Sequence, residues 1–119
     1  DAMGEAEAVV HTASLHAPHV GVRSDREFER VNLHALETLL ELALARGVVC
    51  FVYTSTTAVY GDAVVDSACR WIDEQVEPIP RTIYHRTKLA AEAMVAGATS
   101  STLRTRVLRM SRCFPEAAD

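Results

Sequence analysis

Three short apolar runs alternating with two stretches of helical character predict an α/β fold whose strands all run parallel. The first observation is the order itself: strand, helix, strand, helix, strand, which implies right-handed crossovers that place both helices on one face of the sheet. The second is the central run, where Val48, Val49, Phe51 and Val52 form a nearly unbroken apolar segment. β-Branched and aromatic residues dominate it, the pattern of a strand buried on both faces. The third is how that run stops, in four consecutive hydroxyl residues, Thr54, Ser55, Thr56 and Thr57. Ligands of open parallel sheets bind beyond the carboxyl ends of the strands, so these hydroxyls stand where chemistry is done.

Each element has its own signal. Ala8 to Ser14 (AVVHTAS) reads as the first strand, followed by a loop holding His16, Pro18, His19 and Gly21. Ser24 to Glu27 has the S-x-x-E spacing of a capping box, in which each side chain satisfies an orphan backbone donor. A long helix follows, with Phe28, Val31, Leu39 and Leu42 on its apolar face and Gly47 as its stop. After the central strand, a connection from Gly61 to about Arg81 contains Trp71, the acidic pair Asp73 and Glu74, and Pro78 and Pro80. Its length and prolines mark a functional loop rather than a tight turn. The second helix runs from about Thr82 through Ala98, and the third strand from Arg104 to Met110, ahead of Ser111 and Arg112.

Composition narrows the function classes. The chain has 119 residues, 49% hydrophobic and 24% charged, which suits one globular domain. A net charge of -4 gives no electrostatic footprint for nucleic acid or an anionic membrane. There is no apolar run of membrane-spanning length and no signal-peptide pattern, and Cys50, Cys69 and Cys113 are odd in number with no CxxC pair. Together these predict a cytoplasmic protein in a reducing compartment. His11, His16 and His19 lie close in sequence, but no cysteine or carboxylate nearby completes a zinc set, so no metal is expected.

Tyr84 and Lys88 are four apart, so on a helix they share one face. An ammonium beside a phenol favours the phenolate, which predicts a lowered Tyr84 pKa. A hydroxyl cluster with an activated tyrosine makes an acid/base site for an alcohol or ketone.

TSTTAVYG followed by YHRTK resembles the active-site region of the extended short-chain dehydrogenase/reductases, the NAD-dependent epimerase/dehydratase family. AVVHTAS, VNLHALETLLELALARGV, DEQVEPIP, KLAAEAM and VLRMSR agree in the same order, so the resemblance covers nearly the whole chain. It implies a Rossmann-type doubly wound parallel sheet, of which this chain supplies strands four to six. The glycine-rich phosphate loop of the first half and the C-terminal substrate-binding part have no counterpart here, and the five glycines form no GxGxxG. By the same resemblance the protein uses NAD or NADP, acts on a nucleotide-sugar or another small hydroxyl or carbonyl compound, and forms a homodimer. Thr56, Tyr84 and Lys88 match the catalytic Ser/Thr, Tyr and Lys, although Ser55 and Thr57 flank Thr56 and a slip of one residue changes the assignment. Asn32 stands where the family has an asparagine supporting the site, or is an exposed polar residue on a helix face. Ala13, His16 and Met110, with Tyr84 and Lys88, fall at cofactor-lining positions. Tyr60 and Gly61 complete VYG, Tyr60 as a packing residue. Met110 replaces a frequent proline, and His85 and Arg86 replace a small residue after the tyrosine. The alternative functions are a non-catalytic NAD(P)-sensing protein and a partner-binding module.

Overall fold

The structure is a computed structural model and describes residues 3–64 and 71–111. Cys69, Cys113 and Arg112 lie outside the described residues. Three strands, β1 (Ala8–His11), β2 (Cys50–Thr56) and β3 (Arg104–Met110), form one sheet in the order β1-β2-β3, and both pairings are parallel. The doubly wound class expected from the sequence is therefore present as a three-stranded parallel portion, with its helices on one face.

β1 ends at His11 rather than Ser14. Its partner register runs Ala8–Cys50 to His11–Tyr53, and the chain then leaves the sheet. β2 reaches further than the apolar run suggests, because Tyr53 to Thr56 keep pairing with Val107 to Met110. It is not buried on both faces. Burial alternates along it, with Phe51, Tyr53 and Ser55 inside and Cys50, Val52, Thr54 and Thr56 half-covered. Helices shield one face only, and Val10, Leu108 and Met110 stay exposed on the other.

The capping box forms as expected. Ser24 Oγ accepts from the Glu27 amide at 3.3 Å, and Glu27 Oε2 accepts from the Ser24 amide at 3.0 Å. It starts α1 (Asp25–Glu29), which passes through a π turn (Arg30–His34) into α2 (Ala35–Ala45). Phe28, Asn32, Leu36 and Leu40, each four residues after the last, are all buried. In an ideal α-helix positions four apart drift by about 40° each time, and the wider π turn absorbs that drift. The same phase change carries Leu42, expected on the apolar face, to the solvent side, with Ala43 buried in its place. Gly47 ends the helix at φ 71°, and the Val48 amide closes back on the Ala43 carbonyl at 2.9 Å. α3 (Ile83–Gly97) is capped by Thr82, whose Oγ1 accepts from the His85 amide at 3.2 Å. α2 and α3 close the main core over Phe51 and Tyr53 with Leu36, Leu40, Ala91, Val95 and Leu103.

Candidate active site

Ser55, Thr56 and Thr57, the hydroxyls at the end of β2, all line one cleft and differ in burial and hydrogen-bond partners. Ser55 turns inward, is 3% exposed and donates to Glu92 Oε1 at 2.5 Å. Thr57 has left the strand and donates to the Met110 carbonyl at 3.4 Å. Thr56, the last strand residue, caps the short 3-10 turn Thr57–Tyr60 by accepting from the Ala58 amide at 3.1 Å. Its hydroxyl also lies near enough to the Tyr84 phenol to favour the ionised form. Thr56 and Tyr84 both line this cleft, of about 730 Å³ at the carboxyl end of the sheet, together with His16, His85 and Met110.

Tyr84 is the second residue of α3 and is buried. Burial raises its pKa above the ordinary tyrosine value, and the Thr56 hydroxyl draws it partway back. This reverses the lowering expected from Lys88. One turn along α3, Lys88 reaches into the protein instead of toward the phenol: Nζ donates to the Thr54 carbonyl at 2.6 Å and stands 4.3 Å from the centre of the Tyr53 ring. The side chain is 2% exposed, and desolvation pushes its pKa down to about 8 against the opposing field of Glu92. Burial and the Lys88 charge also hold His11 below the usual histidine range. The Tyr53 hydroxyl, beneath this charge, is buried without a hydrogen-bond partner.

The remaining expected residues divide. His16 and Met110 lie on the cleft wall, and Ala13 is exposed and does not contribute to it. Asn32 is buried rather than exposed and stands back from the cleft. Its Nδ2 donates to the Leu15 carbonyl and to Thr87 Oγ1, and its Oδ1 accepts from the Leu15 amide. It thus ties the loop after β1 to α3, using the π turn to reach both. Tyr60 packs as expected, 3% exposed, and donates to the Asp73 carbonyl at 2.7 Å. Gly61 has φ 50°, and a Cβ there would come within 2.0 Å of the Ile79 carbonyl oxygen, so only glycine lets the returning loop close on VYG. Among the described residues, no group of three His, Cys, Asp or Glu side chains is placed to hold a metal ion.

Sequence reading missed the charged cluster behind the site. Arg109 donates from Nε and Nη2 to the Glu92 carboxylate, at 2.7 Å for the shortest bond, and from Nη1 to Tyr60 Oη at 2.8 Å. Two signals were available. Glu92 follows Lys88 by one helical turn, and Arg109 stands between Leu108 and Met110 near the end of the third strand.

A hydroxyl–phenol pair at the carboxyl ends of parallel strands stands where open α/β folds place their ligands. The family comparison makes this specific: residues 1–116 match the NAD dependent epimerase/dehydratase family, and the chain belongs to it. It is 33% identical over 121 residues to a dTDP-glucose 4,6-dehydratase of Streptomyces griseus, covering 96% of this chain and 35% of that protein. Among solved structures it resembles RMD from Pseudomonas aeruginosa complexed with NADPH, with a TM-score of 0.76 and 32% identity, over 88% of this chain and 36% of that one. It also resembles the UDP-glucose 4-epimerase from Brucella ovis in complex with NAD, with a TM-score of 0.72 and 30% identity, over 87% of this chain and 31% of that one. The chain spans about a third of the length of these relatives.

Proposed function

We propose that this chain is the catalytic segment of an enzyme that oxidises or reduces a carbon of a nucleotide-sugar with NAD or NADP. The observation that carries the reading is the convergence of Thr56, from the end of β2, and Tyr84, from the first turn of α3, on one cleft. The names of the relatives, which act on dTDP- and UDP-sugars, support the substrate class.

The donor set fits the nicotinamide-ribose end of such a cofactor. Tyr84 would hold the ribose, with His16 and Met110 along the wall, whereas Lys88 is buried beneath the cleft without lining it and Ala13 lies outside it. The pyrophosphate lacks its usual glycine-rich turn within this chain, since Gly4, Gly21, Gly47, Gly61 and Gly97 give no GxGxxG. When bound, the cofactor supplies the hydride acceptor and donor.

The protein's part is proton transfer and placement. Tyr84 Oη exchanges a proton with the reacting oxygen of the sugar. Its raised pKa keeps it protonated near neutral pH, so the resting phenol is the acid that protonates a carbonyl oxygen as it is reduced. In the opposite direction the same oxygen takes the proton from a hydroxyl, and that direction gains rate as the pH rises. Thr56 Oγ1 donates its single proton to the reacting oxygen. Lys88, charged below pH about 8, supplies the positive field under that oxygen and the phenol. Asn32 holds the loop carrying His16 against α3.

The test is to incubate the full-length protein with NAD or NADP and a panel of UDP- and dTDP-hexoses. Nicotinamide absorbance and the sugar product are then followed. Turnover of at least one sugar is expected. Tight cofactor binding with every sugar returned unchanged would instead favour the cofactor-sensing alternative.

A further inference from the structure

Two side chains that the proposed chemistry does not use, Glu92 and Arg109, are the buried charged pair nearest to the one it needs most. Lys88 is the only lysine in the sequence, and it is almost fully buried. An isolated buried ammonium is unstable as a charge unless something opposes its desolvation. The direct partners of Nζ are a carbonyl, Thr54 O, and the face of the Tyr53 ring, neither of which carries a full charge. The carboxylate whose charge acts on Lys88 is Glu92, one turn further along α3 and 8% exposed. Its own oxygens are committed elsewhere. Arg109 of β3 grips it through Nε and Nη2, and Ser55 of β2 donates to Oε1.

This geometry places one carboxylate at the junction of three elements. Through Ser55 it grips the residue between Thr54, which seats Lys88, and Thr56, which faces Tyr84. Through Arg109 it is fixed to the strand that ends in Met110, on the cleft wall. We propose that Glu92, held in place by Arg109 and Ser55, is a positioning residue that keeps Lys88 charged and locks the end of β2 against α3. This extends the proposed function, because it gives Lys88 its charge state in the reaction assigned above. Glu92 itself touches neither cleft nor reacting atoms.

The groups around Lys88 allow the effect to be isolated. They are His11 on β1, Tyr53 on β2, Tyr84 and Glu92 on α3, and Arg109 on β3 behind Glu92. Burial holds His11 low and Tyr53 and Tyr84 high, so near neutral pH all three are uncharged and Glu92 supplies the negative field at Lys88.

The experiment is competitive labelling of Lys88 with trace acetic anhydride from neutral to alkaline pH in the full-length protein, read by peptide mass spectrometry. Its labelling midpoint is the lysine pKa. Glu92→Gln removes the charge and keeps the shape, and the midpoint should fall by about one unit or more. Glu92→Asp keeps the charge and should recover at least half of that fall. If Glu92→Gln does not fold, Glu92→Met combined with Arg109→Met removes both charges, an exchange that buried pairs often tolerate, and a downward shift of about half a unit is expected because the more distant Arg109 charge is lost with that of Glu92. A midpoint within about 0.2 units of the unsubstituted protein in every folded variant overturns the proposal and leaves a merely structural pair. Hydride transfer measured across pH in the same variants separates this result from the functional reading. In Glu92→Gln its alkaline limb should move down with the labelling midpoint. A labelling midpoint that falls while hydride transfer keeps its pH profile supports Glu92 as the residue setting Lys88 and counts against Lys88 as a participant in the reaction.

Discussion

On the helix-covered face of the sheet, Phe51, Tyr53, Ser55 and Thr105 are buried, and among them sit the charges of Lys88, Glu92 and Arg109. On the opposite face, Val10, Leu108 and Met110 are 64, 48 and 45% exposed. The covered face thus holds ions within an apolar core, and the open face sets aliphatic side chains beside the exposed Arg104 and Arg106. Buried charge is expensive and is kept only where paired or functional. The difference teaches that the covered face is built as the charge-setting side of the site, and that its polar groups are fixed by this chain alone. The open face contributes strand ends to the cleft and little to the packing of this chain.

The sharpest way to break that comparison is to remove one half of the buried pair. Arg109→Met alone should destabilise by about 3 to 5 kcal/mol, because it leaves Glu92 buried and uncompensated. Adding Glu92→Met should restore most of the loss, measured by urea denaturation. Equal losses in the single and double variants would mean that the pair is not acting as a pair.

Truncations on the two faces should differ by nearly as much. Leu36→Ala, fully buried in the main core, should cost about 3 kcal/mol through lost burial and cavity formation. Leu108→Ala on the open face should cost under about 0.5 kcal/mol. Comparable losses at the two positions would show that the open face is packed after all.

The charge on the covered face also gives stability a pH dependence. Lys88 has a folded pKa of about 8, below its ordinary 10.5. Below pH 8 the folded and unfolded states both hold the proton, and the folded state carries the full desolvation penalty. Above 8 the folded state releases its proton first, so stability rises between pH about 8 and about 10, by about 3 kcal/mol at most. Above about 10 the trend reverses, since Tyr53 keeps its proton when folded and loses it when unfolded. Denaturation midpoints across this window should climb in the parent sequence and stay flat in Lys88→Met.

Much of this was legible beforehand. The strand and helix order, the capping box at Ser24, the Gly47 stop and the β3 limits followed from apolar runs and local hydrogen bonding, which depend on neighbours in sequence. What escaped depended on tertiary context. β1 ends at His11 because its pairing with β2 ends there. Leu42 points outward because a π turn shifts the helical phase. The Tyr84 pKa rises because burial desolvates the phenol, while Lys88 turns toward Thr54 O and Tyr53 instead of offsetting it. The Glu92–Arg109 pair spans 17 residues and two elements, so local patterns point to each residue separately and not to their pairing. Ser55, Thr56 and Thr57 all line the cleft, and what separates them is the tertiary partner of each hydroxyl, which sequence does not show.

The smallest expected effect is on Thr56. Thr56→Val deletes the hydroxyl near Tyr84 and should slow turnover by about tenfold, the worth of one hydrogen bond, while raising the Tyr84 pKa further. The alkaline limb of the pH–rate profile should move up with it.

Tyr84→Phe tests the central claim most directly, because it removes the phenol oxygen and keeps the ring in its place on α3. The measurement is single-turnover hydride transfer in the full-length protein with cofactor and nucleotide-sugar, followed by nicotinamide absorbance. The rate should drop by about two to four orders of magnitude with cofactor affinity little changed. Hydride transfer at the unsubstituted rate would contradict the assignment of Tyr84 as the group that moves the proton.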